Sequence, residues 1–290
     1  MRKKIAFLGG DKRELQVMHN LAQKGYNICA AAIPPELLPD DVVYIEQPEQ
    51  ALSEADAAIL PVPPLRADGR LHSLCQSGVY LEADIFAMQP SGFPIITGVV
   101  STYLRNIAAH CRLIGMMDSD ELALPLAEAT AEGTLAEAIA LSDGLLFGSR
   151  AVVIGYGRIG RALAWRLDAL GMEVVVINRC TKRLYEAWDY GLHAVSWEHL
   201  PKYVEQAQYV FNTVPAPVLN ESLLCSLDRH AVVIDLASSP GGTDFEVAAS
   251  LGIDAVLASG LPGKYCPRYA GEAMSDVYEK CLSKIWKGEE

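Results

Sequence analysis

A glycine-rich turn near the middle of the chain constrains the fold more than any other feature. The turn consists of Gly155, Tyr156, Gly157, Arg158, Ile159 and Gly160. It follows the apolar run Ala151–Ile154 and opens a segment of helical periodicity that ends at Gly171, before a second apolar run, Val174–Ile177. Such glycines allow a tight turn and a close approach of the backbone to a pyrophosphate, which a helix N-terminus then binds. The sequence therefore predicts a strand–helix–strand unit that binds a dinucleotide.

The residues after the second of these strands indicate which dinucleotide is bound. A site specific for NAD(H) usually carries Asp or Glu here, which binds the ribose 2′-hydroxyl. This chain instead has a polar, basic segment that includes Asn178, Arg179, Thr181, Lys182 and Arg183. The guanidinium of Arg179 matches the geometry of a phosphate, and Thr181 and Lys182 can assist it. We therefore predict NADP(H) as the cofactor; the alternative interpretation is a solvated basic loop at the start of a helix.

Apolar runs and helix-length segments alternate along the whole chain. In the first part, the candidate strands are Ile5–Leu8, Ile28–Ile33, Ala57–Leu60, Val79–Leu81 and Ile95–Ile96. In the second part, they are Ala151–Ile154, Val174–Ile177, Ala194–Trp197, Tyr209–Phe211, Val232–Leu236 and Ala255–Leu257. Strands that alternate with helices pair in parallel and carry helices on both faces of the sheet. The pattern predicts an α/β fold.

We expect two lobes. The N-terminal lobe, residues 1–124, is predicted to be a Rossmann-like α/β domain. The C-terminal lobe, residues 125–290, is predicted to be an NAD(P)-binding Rossmann domain with a parallel, doubly wound sheet. It includes a linking helix, Thr134–Ser142, and a C-terminal helix, Ala270–Trp286, which is expected to reach back to the first lobe. The cofactor is expected in the cleft between the lobes.

Composition narrows the class of protein. The net charge of -12 argues against nucleic acid or an anionic membrane as the main partner. The seven Cys residues are irregularly spaced and form no CxxC, so neither a disulfide framework nor a metal site is predicted. No apolar run approaches the ~18 residues of a membrane helix, and the first apolar stretch is too short for a signal peptide. We expect a cytoplasmic protein with reduced thiols.

Several loops follow strands of the second domain, where ligands bind in a doubly wound sheet. The first contains Asn212, Thr213, Val214 and Pro215, which we assign to the cofactor. The next loops offer Ser238, Asp244, Lys264 and Arg268 as candidate substrate residues. Alternatives remain open, because Asp244 can be a helix cap and the two cations can be ordinary surface charges. The six His residues show no partner pattern, and we interpret them as structural or exposed.

A second glycine pair lies after the first strand. Gly9-Gly10-Asp11 resembles the start of a nucleotide-binding loop, but the third glycine is missing. The sequence favours a simple strand-to-helix turn at this position.

Longer runs of residues resemble one known family. The run Asp235–Phe245 (DLASSPGGTDF), followed by Gly260–Gly263 (GLPG), is similar to the A subunit of dipicolinate synthase. Further similarities, in the same order along the chain, are Gly9–Arg13, Thr130–Gly133 and Asn212–Pro215. The family's proline before the TxEG segment is Ala129 here, and its Ala-Pro-Lys after GLPG is Cys266-Pro267-Arg268. These departures affect substrate placement more than the fold.

The resemblance implies an NADP-dependent oxidation in sporulation. A dihydrodipicolinate-type precursor, a heterocyclic dicarboxylate, would be oxidised to pyridine-2,6-dicarboxylate, and the partner would be a smaller, flavoprotein-like B subunit. Arg13, Lys264 and Arg268 are then candidates to bind the two carboxylates. We also expect the chain to form a homo-oligomer.

Two other functions remain open at this point. The chain can be another two-domain NADP-dependent dehydrogenase, similar to shikimate or 2-hydroxyacid dehydrogenases. Enzymes of that kind usually carry a positioned acid–base pair, often His with a carboxylate, and the sequence does not reveal one. Alternatively, the chain can be a non-catalytic NADP(H)-binding subunit that positions a catalytic partner.

Overall fold

The computed structural model describes residues 2–66, 68–75 and 78–288. The strands are β1 (Lys4–Leu8), β2 (Asn27–Ala31), β3 (Val42–Tyr44), β4 (Ala57–Ile59), β5 (Pro94–Thr97), β6 (Arg112–Gly115), β7 (Arg150–Ile154), β8 (Glu173–Asn178), β9 (His193–Ser196), β10 (Tyr209–Asn212), β11 (Val232–Asp235) and β12 (Asp254–Leu257). The helices are α1 (Lys12–Gln23), α2 (Pro48–Ser53), α3 (Ala83–Ala87), α4 (Thr102–Ile107), α5 (Asp120–Leu141), α6 (Arg158–Ala169), α7 (Thr181–Asp189), α8 (Leu200–Val204), α9 (Glu221–Leu224), α10 (Phe245–Leu251), α11 (Leu261–Tyr265) and α12 (Pro267–Lys287).

The chain divides into two compact units, and the C-terminal helix belongs to the first of them. The first unit contains residues 1–126 together with 267–290, and the second contains residues 127–266. The predicted boundaries counted α12 with the second domain, and the contacts place it in the first unit instead. The expectation that this helix reaches back to the first lobe is confirmed. The residues Ala270, Met274, Tyr278 and Leu282 recur every four positions and are fully buried in the core of the first unit.

Close packing of α12 on α1 explains why this helix stays with the first unit. A Cβ atom at Gly271 would lie 2.8 Å from the carbonyl oxygen of Arg13 on α1. Glycine therefore allows the two helix backbones to approach closely at this crossing. The apolar stripe of α12 covers α1 as a consequence.

Each unit contains one parallel six-stranded sheet. The strand order is β3-β2-β1-β4-β5-β6 in the first and β12-β11-β10-β7-β8-β9 in the second. Numbered within each unit, both orders read 3-2-1-4-5-6, which is the order of dinucleotide-binding sheets. The direction of winding reverses between β1 and β4 in one sheet and between β7 and β10 in the other. Both units are Rossmann-type folds, as predicted.

Alternate side chains of the central strands enter different cores. Ile5 and Phe7 of β1 pack on one face of the first sheet, whereas Ala6 and Leu8 pack on the other. The residues of β7 divide between two cores in the same manner. Both faces of each sheet are covered, so these strands consist of continuous apolar runs.

The strands at the edges of the first sheet differ from those predicted. Residues 79–81 do not form a sheet strand: the carbonyl oxygen of Val79 accepts a hydrogen bond from Leu71 N, and Tyr80 forms an isolated antiparallel bridge with Arg70. The edge strands β3 and β6 were not predicted. An edge strand has only one neighbour, and Val43 of β3 is 60% exposed, so β3 lacks the apolar run that marks a central strand.

Among the described residues, no helix is both long enough and apolar enough to span a membrane.

Candidate dinucleotide site and surrounding residues

Two glycines of the turn after β7 are required by the protein itself. Gly155 has a φ of +97°, and a Cβ atom there would overlap the hydroxyl of Thr213. A Cβ atom at Gly160 would overlap the carbonyl oxygen of Gly155, so this glycine allows α6 to start directly against β7. Both positions have a structural reason to be glycine that involves no ligand.

At Gly157, by contrast, the fold itself does not require a glycine. Its φ and ψ of -82° and -157° are accessible to any residue. A Cβ atom there would meet no heavy atom of the described residues within 4 Å. Gly157 precedes the first turn of α6, where backbone N–H groups and the positive end of the helix dipole attract a phosphate. The space at Gly157 is therefore open to a ligand at the N-terminus of α6, where an anionic group such as a pyrophosphate is favoured.

Arg179 lies over an aromatic ring beside the end of β8. Its Cζ is 5.0 Å from the centroid of the Trp197 ring. Strand pairing produces this contact, because Asn178 of β8 is in register with Ser196 of β9. Arg179 follows Asn178 and Trp197 follows Ser196, so the two side chains lie next to each other. A guanidinium that lies over an aromatic ring can still donate its N–H groups to a phosphate.

The other residues of this basic segment have different environments. Asn178 accepts a hydrogen bond from Cys180 N at 2.8 Å, which fixes the turn into α7. Thr181 and Lys182 are exposed in the first turn of α7. Arg183 is 2.6 Å from Glu186, so its charge is already paired. Arg179 and Lys182 are therefore better placed than Arg183 to bind an added phosphate.

The loop after β10 uses its polar side chains within the protein. Asn212 is fully buried; its amide donates to Val214 O and to Asp235 Oδ1, both at 3.1 Å, and accepts from Val214 N at 3.0 Å. Thr213 donates from its hydroxyl and from its backbone N to Ile154 O, each at 2.9 Å. Pro215 is exposed and Val214 is half-buried. Asn212 and Thr213 thus shape this loop beside the glycine turn.

Asp235 connects the loops that follow β10 and β11. Its side chain is fully buried and accepts four hydrogen bonds, from Asn212 Nδ2, Ala237 N, Gly242 N and Thr243 Oγ1, at 3.1, 3.0, 2.7 and 2.7 Å. All four donors are uncharged. Hydrogen bonds, rather than a salt bridge, compensate for burial of the carboxylate.

Two of the predicted substrate residues lie in the loop after β11. Ser238 is exposed, and its carbonyl oxygen accepts a hydrogen bond from Gly241 N at 2.9 Å. Asp244 is the N-cap of α10 and accepts a hydrogen bond from Val247 N at 3.1 Å. The structure thus gives Asp244 the helix-capping position that the sequence left open.

The two predicted substrate cations lie in different units. Lys264, on α11, has its Nζ 2.6 Å from Glu137 Oε1, and this oxygen also accepts a hydrogen bond from Tyr265. Hydrogen bonding to Glu137 raises the pKa of Lys264. Arg268, on α12, is 84% exposed and lies 3.7 Å from Glu272. Lys264 already has a carboxylate partner, whereas Arg268 has only a weak one.

The glycine pair after β1 does not form an open nucleotide loop. Gly10 N donates to His72 O at 2.9 Å, and Leu74 N donates to Gly10 O at 3.1 Å. A Cβ atom at Gly9 would lie 2.6 Å from His72 O. Residues 71–74 therefore cover this turn.

A polar cluster surrounds the N-terminus of α1. Asp11 caps the helix and forms a capping box with Glu14, whose carboxylate accepts a hydrogen bond from Asp11 N at 2.8 Å. Arg13 is only 3% exposed, and its guanidinium donates to Asp11 Oδ2 at 2.8 Å and to Val62 O at 2.6 Å. Arg13 was proposed from the sequence as a substrate cation; it instead fixes Asp11. His72 Nε2 lies 3.5 Å from Asp11 Oδ2.

Sequence reasoning missed three features of these sites. Trp197 was predictable, since a parallel register places it next to Arg179. The role of Asp235 had a weaker signal, a lone acid at the end of an apolar strand. For His72 the sequence contains no such signal, because this residue lies in an irregular segment between β4 and α3.

The fold and the dinucleotide site together define a class of protein. Two Rossmann-type units, one with a glycine turn open to a pyrophosphate, are the architecture of nicotinamide-dinucleotide oxidoreductases. Residues 124–240 match the family model of the NAD-binding domain of D-isomer-specific 2-hydroxyacid dehydrogenases. Residues 4–117 match the family model of the N-terminal domain of the dipicolinate synthase A subunit.

Full-length similarities identify the family. The chain is 32% identical over 286 residues to the dipicolinate synthase A subunit of Bacillus subtilis (strain 168), covering 97% of this chain and 96% of that protein. The crystal structure of the Bacillus halodurans A subunit superposes with a TM-score of 0.89 at 29% identity, covering 97% of both chains. The crystal structure of the Bacillus subtilis protein gives 0.86 at 32% identity, covering 100% of this chain and 98% of the other. The chain belongs to the dipicolinate synthase A-subunit family, as predicted.

The Asp235 network leads to a stability prediction. In Asp235→Asn, an amide NH₂ would face the donors Gly242 N and Thr243 Oγ1, at least one of which would lose its partner. A buried unpaired donor costs about 1–3 kcal/mol, so we expect the free energy of unfolding to fall by about 2 kcal/mol. Asp244→Asn is the matched control, because Asn caps helices as well as Asp. Urea unfolding measures both variants, and equal stability of the two would contradict the assignment of Asp235.

Proposed function

We propose that this chain is the NADP-dependent oxidoreductase subunit of a dipicolinate synthase. It would oxidise a dihydrodipicolinate-type precursor to pyridine-2,6-dicarboxylate in the cytoplasm of a sporulating cell. The observation that carries this proposal is the similarity to the dipicolinate synthase A subunit, which extends over 97% of the chain and through both units.

The residues that would hold the cofactor belong to the second unit. The turn Gly155–Gly160 would bind the pyrophosphate at Gly157, and the loop Asn212–Pro215 would lie against the dinucleotide beyond it. The bound nicotinamide would accept a hydride, whereas the protein's own part is to bind and orient the reactants. Arg179, with Asn178, Thr181 and Lys182 beside it, would hold a 2′-phosphate, which favours NADP(H) over NAD(H).

The substrate carries two carboxylates, and cations would bind them. Arg268 is the better candidate, since its nearest partner is 3.7 Å away and its side chain is 84% exposed. Lys264 would have to exchange Glu137 for a substrate carboxylate. Ser238 would add a hydroxyl donor. Asp244, as the N-cap of α10, would act by fixing the start of that helix rather than by contact with the substrate.

The partner in this proposal is a flavoprotein-like B subunit, and we expect the chain itself to form a homo-oligomer. The support for a partner is that the relatives are named as one lettered subunit of a synthase. Both a catalytic subunit and an NADP(H)-binding scaffold would bind cofactor, so cofactor binding alone does not distinguish them. Only turnover does.

The experiment that tests the function is an assay of NADPH formation. A freshly prepared lysine-pathway precursor is mixed with NADP+ and the purified chain, with and without the B subunit. The proposal expects NADPH and pyridine-2,6-dicarboxylate in equal amounts. Turnover of a 2-hydroxyacid or of shikimate instead would identify a different dehydrogenase. Cofactor binding without any turnover, even when the B subunit is present, would favour the scaffold.

The environment of Arg179 leads to a prediction about cofactor choice. Arg179→Ala removes a charged hydrogen bond worth about 1.5–3 kcal/mol, so NADPH should bind about 10- to 150-fold more weakly. NADH lacks the 2′-phosphate, and its dissociation constant should barely change. The two constants are measured by fluorescence titration at one salt concentration.

Arg183→Ala is the matched control for that titration. It removes a cation four residues away that is already paired with Glu186, so NADPH affinity should change far less. A wild-type preference for NADH, or equal weakening of both cofactors in Arg179→Ala, would contradict the assignment.

A further inference from the structure

Arg179 has a fixed backbone and an exposed charge. Asn178 ends β8, and its side chain accepts a hydrogen bond from Cys180 N at 2.8 Å, so this bond spans Arg179. Arg183 is paired with Glu186, whereas Arg179 forms no ion pair with a carboxylate of the described residues. An exposed arginine loses conformational entropy when a ligand fixes it. The contact that orients this guanidinium therefore affects how well it binds an anion.

The ring of Trp197 provides that contact. The Cζ of Arg179 is 5.0 Å from the ring centroid, within the roughly 6 Å over which an aromatic face attracts a cation. Among aromatic side chains, the indole ring of Trp attracts cations most strongly. Trp197 therefore favours the orientations of Arg179 that keep the guanidinium beside the end of β8.

Trp197 is itself held in place by the fold of the second unit. Its side chain is half-buried and packs against the apolar core on one face of the second sheet. Trp197 also opens a short 3-10 helix directly after β9, at the point where Ser196 pairs with Asn178. Strand pairing and core packing thus fix the ring, and Arg179 lies over a surface that is formed without any ligand.

We propose that Trp197 is a positioning residue for cofactor choice, which holds the guanidinium of Arg179 ready to bind the 2′-phosphate of NADP(H). This inference rests on the function proposed above, in which Arg179 binds that phosphate. A guanidinium binds phosphate through a planar fork of N–H donors, and a fork that is oriented in advance loses less entropy on binding. NADH has no phosphate at this position, so Trp197 contributes to the affinity for NADPH and not to that for NADH.

Dissociation constants for NADPH and NADH test the proposal. In Trp197→Leu, the constant for NADPH should rise about 3- to 10-fold, because leucine can pack against the core but cannot attract a cation. The constant for NADH should barely change. Trp197→Met, a second variant without a ring, should show the same selective loss. Trp197→Phe keeps an aromatic face, so its affinity for NADPH should lie closer to that of the wild type.

A double-mutant cycle determines whether Trp197 acts through Arg179. If it does, Trp197→Leu should weaken NADPH binding in the wild-type background and leave it unchanged in the Arg179→Ala background. The same weakening in both backgrounds would overturn the proposal. Equal weakening of NADPH and NADH would also overturn it, because the ring would then act on a part that the two dinucleotides share.

Tyr203→Leu is the matched control. The ring of Tyr203 packs against the same core as Trp197, and the Nζ of Lys202 lies 5.5 Å from its centroid. Tyr203 contacts His193, which begins β9, so it lies at the opposite end of that strand from Trp197. Its loss should leave the preference for NADPH over NADH unchanged.

The outcomes separate this inference from the proposal on which it rests. A wild type that prefers NADPH, together with Trp197→Leu and Trp197→Met variants that keep the full preference, would overturn this inference alone. A wild type that prefers NADH would overturn the proposed NADP(H) preference and this inference together.

Discussion

The pairing of β10 beside β7 is the constraint on which the dinucleotide site depends. It brings Asn212 into register with Ile154, so the two strands end together and their loops meet. Thr213 then binds the carbonyl oxygen of Ile154 through both its hydroxyl and its backbone N. That hydroxyl occupies the space beside Gly155, so the shape of the glycine turn is set by the neighbouring strand as well as by its own sequence.

One aspartate in each unit follows a strand, and the two have different parts: Asp235 is fully buried, whereas Asp11 is half-buried. Asp235 accepts only from uncharged donors, and it joins two loops of the second sheet into one network. Asp11 faces a cation and an imidazole, and it lies beside a residue that is partly exposed. Both follow the carboxyl end of a strand, and the groups around each decide whether neutral donors or a cation stabilise the carboxylate.

The central strands and the glycine turn were predictable because both faces of each sheet are covered, which leaves unmistakable apolar runs. The edge strands β3 and β6 were missed, whereas the edge strands β9 and β12 were predicted, so exposure at a sheet edge weakens the apolar pattern without always removing it. The sequence predicted that α12 reaches back to the first lobe, but its packing partner α1 lies more than 240 residues earlier and no local pattern identifies it. Among the candidate site residues, the place of Arg179 at the end of β8 was predictable, whereas the pairing of Lys264 with Glu137 and of His72 with Asp11 depends on long-range folding.

The central claim is that Gly157 is glycine for a ligand and not for the fold. The most direct measurement compares Gly157→Asp with the wild type, by thermal unfolding without ligand and by titration with NADPH. Asp is a favoured N-cap, so stability should be equal or slightly higher. A carboxylate against the pyrophosphate costs several kcal/mol, so NADPH affinity should fall by about 100-fold or more. Unchanged NADPH affinity in Gly157→Asp would contradict the account.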